Sequence, residues 1–169
     1  MLIDGFKYKQ WADRRTLDAA KALEAQKGRA AVAFIRQQLN HMVIVEELFR
    51  ARLIGNERPH NTTNTEAVPT LDELERKLTQ SNAWFTRYVN ESTSETLNEQ
   101  VSFQFVDGKQ GRLTRLEILF HIINHGTYHR GAIGHALDLE GGVRPADTFT
   151  VFIHAEEPER RQQSSMRQP

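Results

Sequence analysis

The sequence predicts an all-α protein, a four-helix bundle with a small β-hairpin before the last helix. Three observations carry this. Four long stretches repeat apolar residues at helical spacing. Two of those stretches open on Thr-x-x-Glu, at Thr70–Glu73 and Thr114–Glu117, the form of a helix capping box. One short stretch, Val101-Ser102-Phe103-Gln104-Phe105, switches to a period of two and runs into the turn pair Asp107-Gly108.

The first helix is expected from Phe6 to about Ala25. Phe6, Trp11, Leu17, Ala20 and Leu23 form its apolar side, with Asp4 or Gly5 to cap it and Gly28 to stop it. Trp11 is read as core. The second helix is expected from about Arg29 to Ile54, with a broad apolar stripe from Val32 to Leu53 and Gly55 at its end. Asn56 to Thr65 is a polar surface loop, so His60 within it is read as solvated. The third helix follows the Thr70 cap to about Val89, with Leu71, Leu74, Leu78, Trp84 and Tyr88 facing inward, and Asn90 to Thr96 breaks it. The hairpin pairs Val101–Phe105 with Gly111–Thr114. Two short strands are not stable alone, so the hairpin must lie on the helices. Thr114 caps the fourth helix, which runs to about Leu139 and stops at Glu140-Gly141-Gly142. Thr148 to Ile153 is β-branched and apolar and is read as extended. Residues 1–154 form one domain, and 155–169 a frayed polar tail.

Composition limits the function. There is no cysteine among the 169 residues, which removes disulfides, thiolate metal ligands and a cysteine nucleophile. Lys plus Arg and Asp plus Glu both number 22, so the balanced charge argues against nucleic acid as partner. No apolar run approaches the ~18–20 residues of a membrane span. No leader segment is read at the start, and a cytoplasmic location is expected.

The chemistry concentrates in Phe120-His121-Ile122-Ile123-Asn124-His125-Gly126-Thr127-Tyr128-His129-Arg130-Gly131. Its three histidines are spaced four apart, and residues so spaced share one helix face. Two neutral imidazoles at that separation can ligate one transition-metal ion. The pairs His121/His125 and His125/His129 are equivalent on spacing alone. Gly126 and Gly131 would mark a close helix approach around the second pair, or merely weaken the helix. His41, on the apolar stripe of the second helix, can supply a third ligand from across the bundle. Three imidazoles would leave a tetrahedral ion an open fourth position. A metal-free bundle with a histidine-rich core is the competing reading.

The run Asn124 to Gly131 resembles the signature of the DinB family, the DinB/YfiT-like four-helix bundles. The resemblance covers nearly the whole chain. Tyr8-Lys9-Gln10-Trp11-Ala12 is similar to the family's Y-x-x-W-A stretch. Asn40-His41, Glu46-Glu47-Leu48-Phe49 and Ala51-Arg52-Leu53-Ile54-Gly55 are similar to its second-helix motif, where tryptophan is more usual than Phe49. Asp147 to Phe152 is similar to a tail found in many members. The resemblance implies an up-down-down-up bundle, often dimeric, with His41, His125 and His129 as ligands of one divalent ion such as Zn, Ni or Fe. His121 then stands one turn away. Together with Tyr128, Arg130 and Glu46 it is a candidate to support the ligands or to meet substrate, and Arg130 is equally expected to pair with a surface carboxylate.

Related members act as thiol-dependent transferases or isomerases using bacillithiol, mycothiol or glutathione, and the family name marks a damage-inducible gene. The implied function is therefore a metal-dependent enzyme that takes its thiol as cosubstrate. A metal-dependent hydrolase and a non-catalytic, stress-related metal or ligand binder are the alternatives.

Overall fold

The computed structural model describes residues 1–161. Its long helices are α1 (Leu2–Lys27), α2 (Ala33–Leu53), α3 (Leu71–Glu91) and α5 (Arg115–Leu139). A short α4 (Ser94–Asn98) and the hairpin β1 (Gln100–Gln104) and β2 (Gln110–Thr114) come before α5, and α6 (Phe149–Glu156) follows it. Both capping boxes form: Thr70 N–H reaches Glu73 Oε2 at 2.8 Å and Thr114 N–H reaches Glu117 Oε2 at 2.7 Å. Among the described residues no helix is long and apolar enough to cross a membrane.

Two apolar clusters fix the topology. One gathers Leu23 near the end of α1, Ile35 at the start of α2, Leu71 at the start of α3 and Leu137 at the end of α5. The other gathers Phe6, Leu53, Val89 and Ile118 from the opposite ends of the same helices. Helices α1 and α5 therefore run one way and α2 and α3 the other, which is up-down-down-up. Each of α1 and α2 packs on both α3 and α5. Because α2 and α3 are parallel, residues 54–70 must travel the length of the bundle between them.

Between the clusters lies a buried polar layer to which every long helix contributes. Lys9 and Asp13 come from α1, Glu46 from α2, Ser81 and Asn82 from α3 and Arg130 from α5. Lys9 Nζ donates to Asp13 Oδ2 at 2.7 Å and to Asn82 Oδ1 at 2.8 Å, and it meets Glu46 Oε1 at 2.8 Å. All three ammonium protons thus have an acceptor, as a fully desolvated cation requires. Arg130 Nη1 donates to Asp13 Oδ1 at 2.8 Å and Nε to Asp147 Oδ2 at 2.6 Å. Ser81 donates to Glu46. Burial alone would lower the Lys9 pKa, but Asp13 and Glu46 outweigh it and hold the ammonium above its ordinary value. Burial pushes the Glu46 carboxyl up, and Lys9 only partly offsets that.

Several expectations are corrected. Asp4 and Gly5 lie inside α1, which starts at Leu2 rather than at a side-chain cap. Phe85 and Val89, not Trp84 and Tyr88, continue the buried stripe of α3, because they lie seven and eleven residues beyond Leu78 and keep the helical period. Trp11 is half-buried beside Tyr8 and Phe152 rather than in the main core. The breaking stretch after α3 contains α4, capped by Thr93. The segment expected to be extended is helix α6. Phe149, Phe152 and Ile153 share one helical face there, and Phe152 packs on Tyr8 and Trp11, so tertiary burial overrides β-branched propensity. Residues 162–169 of the expected polar tail lie outside the described residues.

Of the three glycines in α5, the two expected to mark a close approach around the histidines, Gly126 and Gly131, differ. A Cβ on Gly126 would meet Arg130 Nη1 at 2.9 Å and Lys9 Cε at 3.5 Å, whereas one on Gly131 would meet open space. Only Gly126 marks a close approach, and the guanidinium it faces is pinned by Asp13. Replacing a helical glycine by alanine gains about 1 kcal/mol when nothing is struck, while overpacking costs about 1–3 kcal/mol. Urea unfolding should therefore find Gly131→Ala stabilised by up to ~1 kcal/mol and Gly126→Ala destabilised. In the same assay Lys9→Met leaves Glu46 without its cation and Asp13 with Arg130 and Asn82 alone, and should cost about 3–5 kcal/mol. Glu46→Gln, at a carboxyl already held above its usual range, should cost distinctly less.

Candidate metal centre

The histidines sit in the groove between α2 and α5, level with the polar layer. His125 and His129 are one turn apart on α5, and their ring centroids are 4.3 Å apart. His41 projects from α2 against both, at 5.1 Å and 4.6 Å between centroids. One ligand atom from each of the three residues lies within 4.8 Å of the others. His41 Nε2 and His125 Nε2 are 3.2 Å apart.

Neighbours settle which nitrogens face one another. His41 Nδ1 is 2.8 Å from the Thr63 carbonyl, which can only accept, so Nδ1 carries the proton. His129 Nδ1 donates to Gln38 Oε1 at 2.7 Å. These bonds orient both rings so that Nε2 faces the cluster, the arrangement by which outer partners orient metal-ligating imidazoles. Burial first, and then the neighbouring imidazoles, lower the His125 pKa to about 3 and the His129 pKa to about 4 with His41 as the neighbour. His125 and His129 are thus neutral at physiological pH, the form that ligates. Adjacent nitrogens on a tetrahedral ion stand about 3.3 Å apart, close to the His41–His125 separation. Three imidazole nitrogens gathered at this spacing, two of them on rings oriented by outer partners, fit a divalent transition-metal ion.

His121 stands outside this group. Its ring lies over Phe49 at 5.0 Å and beside His125 at 5.2 Å. Burial, and then the positive charge of Arg52, lower its pKa. It lines a cavity of about 260 Å³ that also opens on His41 and His125. The other walls are Val45, Leu48, Phe49 and Arg52 of α2, Thr63 of the crossover, and Phe105, Val106 and Leu113 of the hairpin. The hairpin is therefore a wall of the site as well as a connector.

The remaining candidates lie elsewhere. Glu46 faces into the bundle, bonded to Lys9 and Ser81, and does not line the cavity. Arg130 does pair with carboxylates, but buried ones, Asp13 and Asp147. Tyr128 is 75% exposed, with its ring edge-on to His129. His60 meets Glu47 at 2.5 Å, away from the triad. Sequence reasoning missed Gln38, which a same-face argument finds, since it lies three residues before His41. It also missed Thr63, whose contribution is a backbone carbonyl and so leaves no residue-type signal.

Two imidazoles from one turn of one helix and a third from a facing helix define a class, the helical bundles with a cross-bundle histidine site. The chain belongs to the DinB family, whose model matches residues 3–163. It is similar to Protein DinB of Bacillus subtilis (strain 168), at 22% identity over 161 residues that cover 88% of this chain and 91% of that protein. No solved structure gives a significant match.

Proposed function

We propose that this DinB-family chain binds one divalent transition-metal ion through His41, His125 and His129. We further propose that it is a metal-dependent transferase joining a low-molecular-weight thiol to an electrophile. The observation that carries the reading is the apolar cavity opening on His41 and His125. A structural metal site is closed by protein ligands, whereas a catalytic one keeps a position open to substrate. The bound cation would supply Lewis acidity, which lowers the pKa of a thiol placed against it.

The protein's own groups do the rest. Thr63 and Gln38 hold the two imidazoles in orientation. Phe49, Phe105 and Leu113 exclude water from the approach and favour an apolar electrophile. The chain has no cysteine, so the sulfur must come from a cosubstrate. Hydrolysis is the weaker reading. The cavity walls are apolar residues, histidines, Thr63 and Arg52, so His121 is the one wall residue outside the ligand set suited to taking a proton from water.

Metal analysis of purified variants tests the ligand set. His41→Ala, His125→Ala and His129→Ala should each lose stoichiometric metal, while His121→Ala should retain most of it. Full metal content in the His129 variant refutes the assignment. The thiol reading has its own test in the protein loaded with Co²⁺. Titration with glutathione, bacillithiol or mycothiol should change the visible absorption of the ion, and silence toward all three points to hydrolysis or simple binding.

A further inference from the structure

Arg52 lines the same cavity, and its guanidinium is placed unlike those of Arg130, Arg115 and Arg36. Arg130 meets two carboxylates, Arg115 meets Glu99, and Arg36 is spent on the carbonyls of Val68 and Pro69. Among the described residues Arg52 makes one hydrogen bond, from Nη2 to the Gln104 carbonyl at 3.2 Å. Otherwise it is wedged among aromatic faces, 4.6 Å from Phe49, 4.4 Å from Phe103 and 5.5 Å from Phe105. A guanidinium carries five N–H donors and remains charged in proteins, so most of its donors are unspent beside an apolar hollow. Among the described residues no carboxylate pairs with it, and burial, then the charge of Arg58, lower its pKa.

We propose that the substrate is an apolar carboxylate, and that Arg52 receives its carboxylate while the apolar body lies along Val45, Phe49 and Leu113. Arg52 is on this account a specificity-determining residue. The planar fork matches a carboxylate in bidentate geometry, and the three surrounding rings confine the guanidinium in advance. The body of the substrate then extends toward His41 and His125, which brings its far end to the histidine triad. This rests on the proposed function, because it takes the triad as the place of reaction.

Binding of octanoate and of its neutral isostere octanamide to the full chain, followed by ligand-observed NMR at neutral pH, tests the proposal. Each sample is measured as purified, with its metal content recorded, and again after dialysis against EDTA. Octanoate should bind about tenfold more tightly than octanamide, with and without metal. Arg52→Gln should abolish the difference, and Arg52→Lys, which keeps the charge but loses the fork, should keep part of it. Circular dichroism confirms that each variant is folded. Equal binding of the two ligands, or a preference that survives Arg52→Gln, overturns the proposal. In particular, a preference seen only with metal and indifferent to Arg52 places the carboxylate on the ion and supports the metal reading alone. A preference that depends on Arg52 in protein that never retains metal supports the anion site and overturns the metal reading.

Discussion

The structure depends on burying Lys9. An ammonium sealed from water must have all three protons met, and the acceptors come from three helices: Asp13 of α1, Glu46 of α2 and Asn82 of α3. Arg130 of α5 closes the set through Asp13. Apolar contacts alone tolerate a helix sliding along its neighbour, since one leucine resembles another. A hydrogen-bonded charge layer does not, because a shift of one turn leaves a buried charge unmatched. The layer thus sets the axial position of four helices at the level where His41 and His125 meet.

That coupling explains the sequence around the triad. The turn carrying His125 and His129 also carries Gly126 and Arg130, and the two pairs point to different places. The histidines face the groove toward α2. Gly126 leaves room for Arg130 and Lys9 on the inward side. A single turn of α5 therefore serves the site and the charge layer together, and glycine's cost in the helix is offset by a guanidinium that no larger residue would admit.

The helices were readable because their periodicity is long and strong, and both capping boxes appear in the chain as they form in the fold. The pairing of His41 with α5 was suggested by its place on an apolar stripe, although spacing on α5 alone left His121/His125 and His125/His129 equivalent. Geometry separates them, since His121 tips onto Phe49 while His129 turns to Gln38. What stayed hidden was what depends on partners far away in the chain. Glu46 looked available to the site, and nothing local shows that Lys9 claims it. Thr148 to Ile153 carries strand-like residues, and packing against Tyr8 and Trp11 makes a helix the better burial. Arg52 sits in an ordinary-looking helix end, and its isolation comes from the rings of the hairpin folded over it.

The crossover of residues 54–70 exists because α2 and α3 run parallel, yet it also holds His41 through the Thr63 carbonyl. Every residue type offers a carbonyl at that point. The loop can therefore change its side chains widely while the imidazole keeps its tautomer, provided the backbone path is kept. Natural variation or a designed library confined to this crossover would then reshape the surroundings of the triad and leave its donor atoms as they are.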